Sequence, residues 1–248
     1  AAVDDIRGCR PDAVVINQSF VLFPPDLPPI DEACQEVGAR LLYDGSHTLG
    51  LIAGGHFQAD AVESTDLLFG STHKTLPGPQ GGLMVSRSAG TMASVRASFT
   101  LTTQDNAHWN RIAALGVVLE EMRVYGARYA YQVISNAKAL ARALDGGGLP
   151  VRFADRDYTE SHQMMLDPPA IEERTGLDPQ ELAKRLEAQD IIVDAMFRLG
   201  TGEMTRRGMT EADMGEVAQL VVRAAGGEEV KEEVNDLVRD LGLEFVLE

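Results

Sequence analysis

Four short apolar runs alternate with helix and loop signals in the first third of the chain, and this alternation restricts the fold more than any other feature. Residues 12–17 (DAVVIN) form a β-branched run that reads as a strand, and the PPDLPP that follows cannot lie inside a helix. Residues 30–39 (IDEACQEVGA) have helical spacing, and residues 40–44 (RLLYD) read as a short buried strand ending on a carboxylate. Residues 66–70 (DLLFG) and 82–85 (GLMV) add two strands separated by a glycine and proline loop. Strands with interleaved helices predict an open, largely parallel α/β sheet. From residue 107 to about 144, apolar residues recur at helical intervals, which predicts a long helical stretch broken near Tyr125 and Gly126. DGGGLP (145–150) then interrupts the pattern and is the best boundary signal, dividing a domain at 1–146 from one at 147–248. The second region combines strand candidates at 151–153, 162–166 and 191–193 with a helix at 179–188. Two acidic amphipathic helices over 210–241, joined at Gly226 and Gly227, complete a smaller α+β domain.

Charge excludes several partner classes. The 38 acidic against 22 basic residues give a net charge of -16, which repels phosphate backbones and anionic lipid, so neither nucleic acid nor a membrane is expected as partner. No apolar run reaches membrane-spanning length, and AAVDDIRGCRPDAVV lacks the basic start and apolar core of a signal peptide, which makes a cytoplasmic location the default expectation. Cys9 and Cys34 are far apart and fit neither a zinc cluster nor a disulfide framework, so both are expected to be reduced and structural, with no metal site. The chain opens on Ala1 without an initiator methionine, close to a strand-like segment, and is expected to be a fragment.

Two polar clusters stand at the ends of adjacent strands, where open α/β sheets place their ligand sites: DGSH (44–47) and STHKTLPGPQGG (71–82). A crowded, partly desolvated lysine loses its charge more easily and can form a Schiff base with an aldehyde. A carboxylate on the neighbouring strand can pair with a pyridinium nitrogen. Those are the two protein groups that pyridoxal phosphate requires, and nearby hydroxyls and glycine N–H groups suit its phosphate. Alone, a loop lysine is usually a solvated surface residue and Asp-Gly usually a turn. Their joint occurrence within a longer pattern changes that balance.

YDGSHTLGLIAGGHF followed by DLLFGSTHKTLPGPQGGLMV closely resembles serine hydroxymethyltransferase, a pyridoxal-phosphate enzyme family of aminotransferase-like fold. The resemblance implies the C-terminal part of the large cofactor-binding domain followed by a smaller α+β domain. It implies that Lys74 bonds the cofactor aldehyde and that Asp44 faces the pyridine nitrogen. His47 and Ser19 would lie near the phenolic oxygen and ring, with His73 and Ser71 helping to hold the phosphate. FRLGTGEMTRRGM (197–209) resembles the segment whose first arginine grips the substrate carboxylate, here Arg198. A planar guanidinium fork suits that task because it bonds both carboxylate oxygens and stays charged. Arg206 and Arg207 are expected in surface ion pairs, and TESHQMMLD (159–167), which resembles a small-domain strand of the family, is expected to be structural.

Two departures bear on the substrate. SFTLTTQDNAHWN (98–110) replaces the segment that reaches the partner's phosphate, which moves that contact to Thr102 and Thr103. The asparagine-rich loop ahead of the carboxylate arginine is absent, which argues against tetrahydrofolate use and is similar to threonine transaldolases. The implied chemistry is retro-aldol and aldol interconversion of a β-hydroxy amino acid and glycine through a quinonoid, with amino acid and aldehyde as substrates and a homodimer as the expected assembly. The general base and other active-site groups of the family lie in segments upstream of this chain. A competing reading is a catalytically incomplete scaffold that keeps the fold. A cysteine desulfurase or aminotransferase is disfavoured because Cys9 and Cys34 lie outside any recognisable catalytic loop.

Overall fold

The computed structural model describes residues 2–104, 106–194 and 196–247. By contact density the chain divides into two compact units, 1–127 and 128–248. The division falls inside a helix that the glycines of 146–148 close.

The first unit begins with helix α1 (Ala2–Cys9) and strand β1 (Ala13–Asn17), followed by α2 (Pro28–Val37), β2 (Arg40–Asp44), α3 (Leu49–Ala53), β3 (Leu67–His73) and β4 (Pro77–Val85). The sheet order is β1-β2-β3-β4, with β1, β2 and β3 parallel and β4 antiparallel to β3. The parallel register aligns Asn17 with Asp44 and Asp44 with Phe69, which brings the C-terminal ends of three strands to one rim. Leu41, Tyr43, Leu51 and Leu76 are fully buried. Each such side chain contributes about 1.5–3 kcal/mol of burial. Beneath α1 and α2, Ile6, Ala33, Cys34, Ala39 and Leu41 form a small cluster, and burial raises the Cys34 thiol pKa. Cys9, by contrast, is exposed at the end of α1 rather than structural.

Several boundaries differ from the sequence reading for local reasons. Helix α2 starts two residues early because Pro28 and Pro29 occupy its first turn, where a missing N–H is harmless, and it stops at Gly38 with φ +80°. Strand β4 includes the glycine and proline segment expected to be a loop. An edge strand tolerates proline because its outward N–H needs no partner. Helix α4 (Ala89–Thr102), not foreseen, is started by Ser88, whose hydroxyl accepts from the Thr91 N–H at 3.1 Å. Helix α5 (Trp109–Gly146) runs without the expected break at Tyr125 and Gly126. A glycine in a helix is unfavourable by about 1 kcal/mol relative to alanine and does not by itself end it. A Cβ at Gly126 would stand 3.1 Å from Met122 Cε and 3.8 Å from Gly54 Cα, so the glycine sits at a close approach.

The second unit pairs β5 (Gln163–Met165) with β6 (Arg198–Gly200) in an antiparallel ribbon, amid α6 (Pro168–Thr175), α7 (Pro179–Ala188), α8 (Gly202–Arg206), α9 (Glu211–Ala225) and α10 (Lys231–Arg239). Its core includes Leu140, Leu144, Met164, Leu166, Leu186, Phe197 and Met214. The strand expected at 151–153 reduces to one bridge between Val151 and Leu166, after which Phe153, Asp157 and Tyr158 take positive φ in a tight turn. The strand expected at 191–193 is absent, and Ile192 is exposed. No strand among the described residues flanks it, and the strand instead starts at Arg198.

Candidate functional site

Lys74 owes its position to a three-residue hairpin loop. His73 pairs with Pro77, so Lys74, Thr75 and Leu76 turn the chain between β3 and β4, and Lys74 is exposed at the first loop position. The neighbouring strand ends in the turn 44–48, where Gly45 N–H donates to the Phe69 carbonyl at 2.8 Å and Thr48 N–H to that of Gly45 at 2.8 Å. This turn feeds α3 and presents His47. The two segments meet in a polar contact, Lys74 Nζ to His47 Nε2 at 3.2 Å. With an ammonium on Lys74, the His47 nitrogen accepts and its proton resides on Nδ1.

Asp44 is half-buried at the end of β2. Its Oδ1 accepts from the Ser46 N–H at 2.9 Å, and among the described residues its Oδ2 makes no hydrogen bond. Ser46 in turn accepts from the Ser71 N–H at 3.1 Å, tying the ends of β2 and β3 together. Gly70 makes this approach possible, since a Cβ there would lie 2.9 Å from the Ser46 nitrogen. Asp44, His47, Ser71 and Lys74 thus share one rim of the sheet. Ser19 lies two residues beyond β1, exposed, on the strand whose Asn17 aligns with Asp44. His73 is exposed at the last position of β3.

Thr102 and Thr103 stand elsewhere in this unit, at the end of α4, and turn their hydroxyls back onto their own helix. They donate to the Ser98 and Phe99 carbonyls at 2.6 and 3.0 Å. Thr103 also lines a cavity of about 720 Å³ with Gly81, Gly82, Gln104 and Arg111. In the second unit, Arg198 is half-buried at the start of β6. Its backbone N–H donates to Asp194 Oδ1 at 2.9 Å, and its Nε lies 3.1 Å from Asp194 Oδ2. Arg206 and Arg207 donate to the carbonyls of Phe245 and Leu241, so they hold the C-terminal segment by its backbone.

The sequence reading passed over Thr75 and Gly50, which join the two loops of the site. Thr75 Oγ1 donates to the His47 carbonyl at 2.8 Å and accepts from the Gly50 N–H at 3.1 Å. The second threonine of the THKT segment was the available signal.

Residues 5–221 match the family model for serine hydroxymethyltransferase. The chain belongs to the serine hydroxymethyltransferase family. Within it, the serine hydroxymethyltransferase of Methanothermobacter thermautotrophicus is 40% identical over 249 residues, covering 94% of this chain and 57% of that protein. The serine hydroxymethyltransferase of Methanocaldococcus jannaschii is 38% identical over 262 residues, covering 99% and 60%. Among solved structures, the L-threonine transaldolase from Pseudomonas fluorescens, in its internal aldimine state, matches with a TM-score of 0.86 at 29% identity, covering 98% of this chain and 59% of that one. The chain therefore spans 57% to 60% of the length of these relatives.

Family membership and a neighbour captured as an internal aldimine indicate pyridoxal phosphate as the cofactor. The rim fits that group on its own chemistry. It offers a primary amine for an aldehyde, an open carboxylate oxygen one strand away for a ring N–H, and an imidazole 3.2 Å from the amine.

Proposed function

We propose that this chain carries the lysine-bearing part of a pyridoxal-phosphate enzyme that makes and breaks the Cα–Cβ bond of a β-hydroxy amino acid, releasing or accepting an aldehyde with glycine as the other product or substrate. The observation that carries the reading is the Lys74–His47 contact of 3.2 Å beside the open oxygen of Asp44. Bound pyridoxal phosphate supplies an aldehyde for an amino group and a ring that delocalises the electron pair left on Cα. Lys74 would provide the amine that holds the cofactor's aldehyde. Asp44 would keep the ring nitrogen protonated, Oδ1 being engaged by the Ser46 N–H and Oδ2 being open. His47 hydrogen-bonds at the Lys74 amine and orients it. Ser71 and His73 take the phosphate, with Ser19 near the ring. We assign Arg198 the substrate carboxylate, because a guanidinium fork bonds both oxygens and its Nε is already held by Asp194. Thr102 and Thr103 are assigned to a partner subunit's phosphate within a homodimer, a role that requires their hydroxyls to turn away from the Ser98 and Phe99 carbonyls.

A folate-independent transaldolase is the second reading within this class. It is favoured by the TM-score of 0.86 to an L-threonine transaldolase and by the sequence of residues 189–197, between α7 and β6, which contains no asparagine.

The test is to add pyridoxal phosphate to the full chain, reduce with borohydride and map the labelled peptide. A visible absorption band and a label on Lys74, both lost in Lys74→Ala, are expected. Adding glycine should generate a further band at longer wavelength. A label scattered over surface lysines would leave the scaffold reading in its place.

A further inference from the structure

Thr75 follows Lys74 in the chain and is only 1% exposed, yet it carries a hydroxyl. A buried hydroxyl persists only where it is hydrogen-bonded, and this one is bonded twice. It donates to the His47 carbonyl at 2.8 Å and accepts from the Gly50 N–H at 3.1 Å. The Gly50 N–H lies in the first turn of α3, where a helix has no internal acceptor to offer, and Thr75 supplies one from outside. Gly50 also makes the approach possible, since a Cβ there would overlap the Thr75 carbonyl. A single side chain thus fastens the hairpin loop that carries Lys74 both to the turn that carries His47 and to the first turn of the helix that follows it.

Lys74 and His47 sit on separate loops, 27 residues apart in sequence. An exposed lysine samples many rotamers, so its contact with the half-buried His47 ring persists only if the two backbones are fixed relative to each other. We propose that Thr75 is a positioning residue, whose buried hydroxyl fixes the His47 backbone against the Lys74 loop and so keeps Lys74 Nζ in contact with His47 Nε2. The use of that contact rests on the proposed function, while the contact itself can be measured without any cofactor.

The experiment is ¹⁵N NMR of the His47 ring in the full chain without added cofactor. Lys74→Ala gives the Nε2 resonance of a ring lacking the contact. Thr75→Val removes the hydroxyl at nearly constant volume and is expected to move the resonance at least halfway to that value. Thr75→Ser restores the hydroxyl and should hold the wild-type value, an outcome that packing alone does not produce. With pyridoxal phosphate added, attachment to Lys74 should slow about tenfold in Thr75→Val and remain unchanged in Thr75→Ser. A folded Thr75→Val with the wild-type His47 resonance overturns the proposal. Absence of any label on Lys74 in the wild type would instead sink the functional reading and leave the NMR result standing. If Thr75→Val fails to fold, hydrogen exchange of the wild-type Gly50 amide decides. Strong protection supports the clamp, and exchange at the rate of an unstructured amide overturns it.

Discussion

One oxygen of the Asp44 carboxylate closes its own turn through the Ser46 N–H, and the proposed function assigns the other to the cofactor ring. Asp44→Asn separates them. The amide oxygen can still accept from Ser46, so the thermal midpoint should stay within about 2–4 °C of wild type, the shift produced by about 1 kcal/mol in a chain of this size. The amide cannot hold a ring nitrogen protonated, and exchange of the glycine Cα proton, followed by NMR with cofactor present, should fall about a hundredfold. Undiminished exchange in a folded Asp44→Asn would remove Asp44 from the chemistry. Lys74, Asp44 and His47 were legible in the sequence because amine, acid and imidazole stood just beyond strand runs, in a pattern that named their family. Thr75, Ser46 and Gly50 were not. Their roles lie in contacts between segments about 25 residues apart, which local spacing does not encode.

At the scale of elements, the helices at 179–188 and 210–241 and the strand at 40–44 followed their local patterns closely. The strand expected at 191–193 failed because a strand needs a hydrogen-bonding neighbour, whatever its apolar content. Elsewhere, charge holds an element in place. Asp157, in a left-handed turn, receives Lys138 at 2.8 Å and also Arg142, both from α5. The Lys138 ammonium first, then the Arg142 guanidinium, hold the Asp157 carboxyl below its ordinary pKa. A depressed carboxyl contributes stability above its unfolded pKa of about 4, and that contribution is lost as pH falls through the lower folded value. Because Asp157 and Arg142 are substantially exposed, screening leaves the contribution at about 0.5–1 kcal/mol. In urea unfolding, Asp157→Asn should be less stable than wild type by that amount at pH 7 and should approach it in strong acid. An equal deficit at both pH values would assign the effect to packing instead.

For the whole molecule, Trp109, Ile112, Val117 and Val124 leave apolar surface exposed along α5, and Phe99 does so on α4. Such surface accords with the proposed homodimer. Sedimentation at micromolar concentration should give a dimer, and a monomer there would count against that assembly. No helix among the described residues is long and apolar enough to cross a membrane. The order of strand, helix, strand in the first unit and the α+β character of the second were set by the sequence itself, since the period of apolar residues dictates which face each element can bury. The residues of the rim could likewise be named from sequence, because their chemistry and their place after strand runs are local properties. Only the tertiary structure decided that β4 turns antiparallel, that the glycine and proline segment pairs as a strand, and that a buried threonine joins the two loops of the site. Each of these depends on hydrogen-bond partners distant in sequence, and a partner's position exists only once the chain has folded.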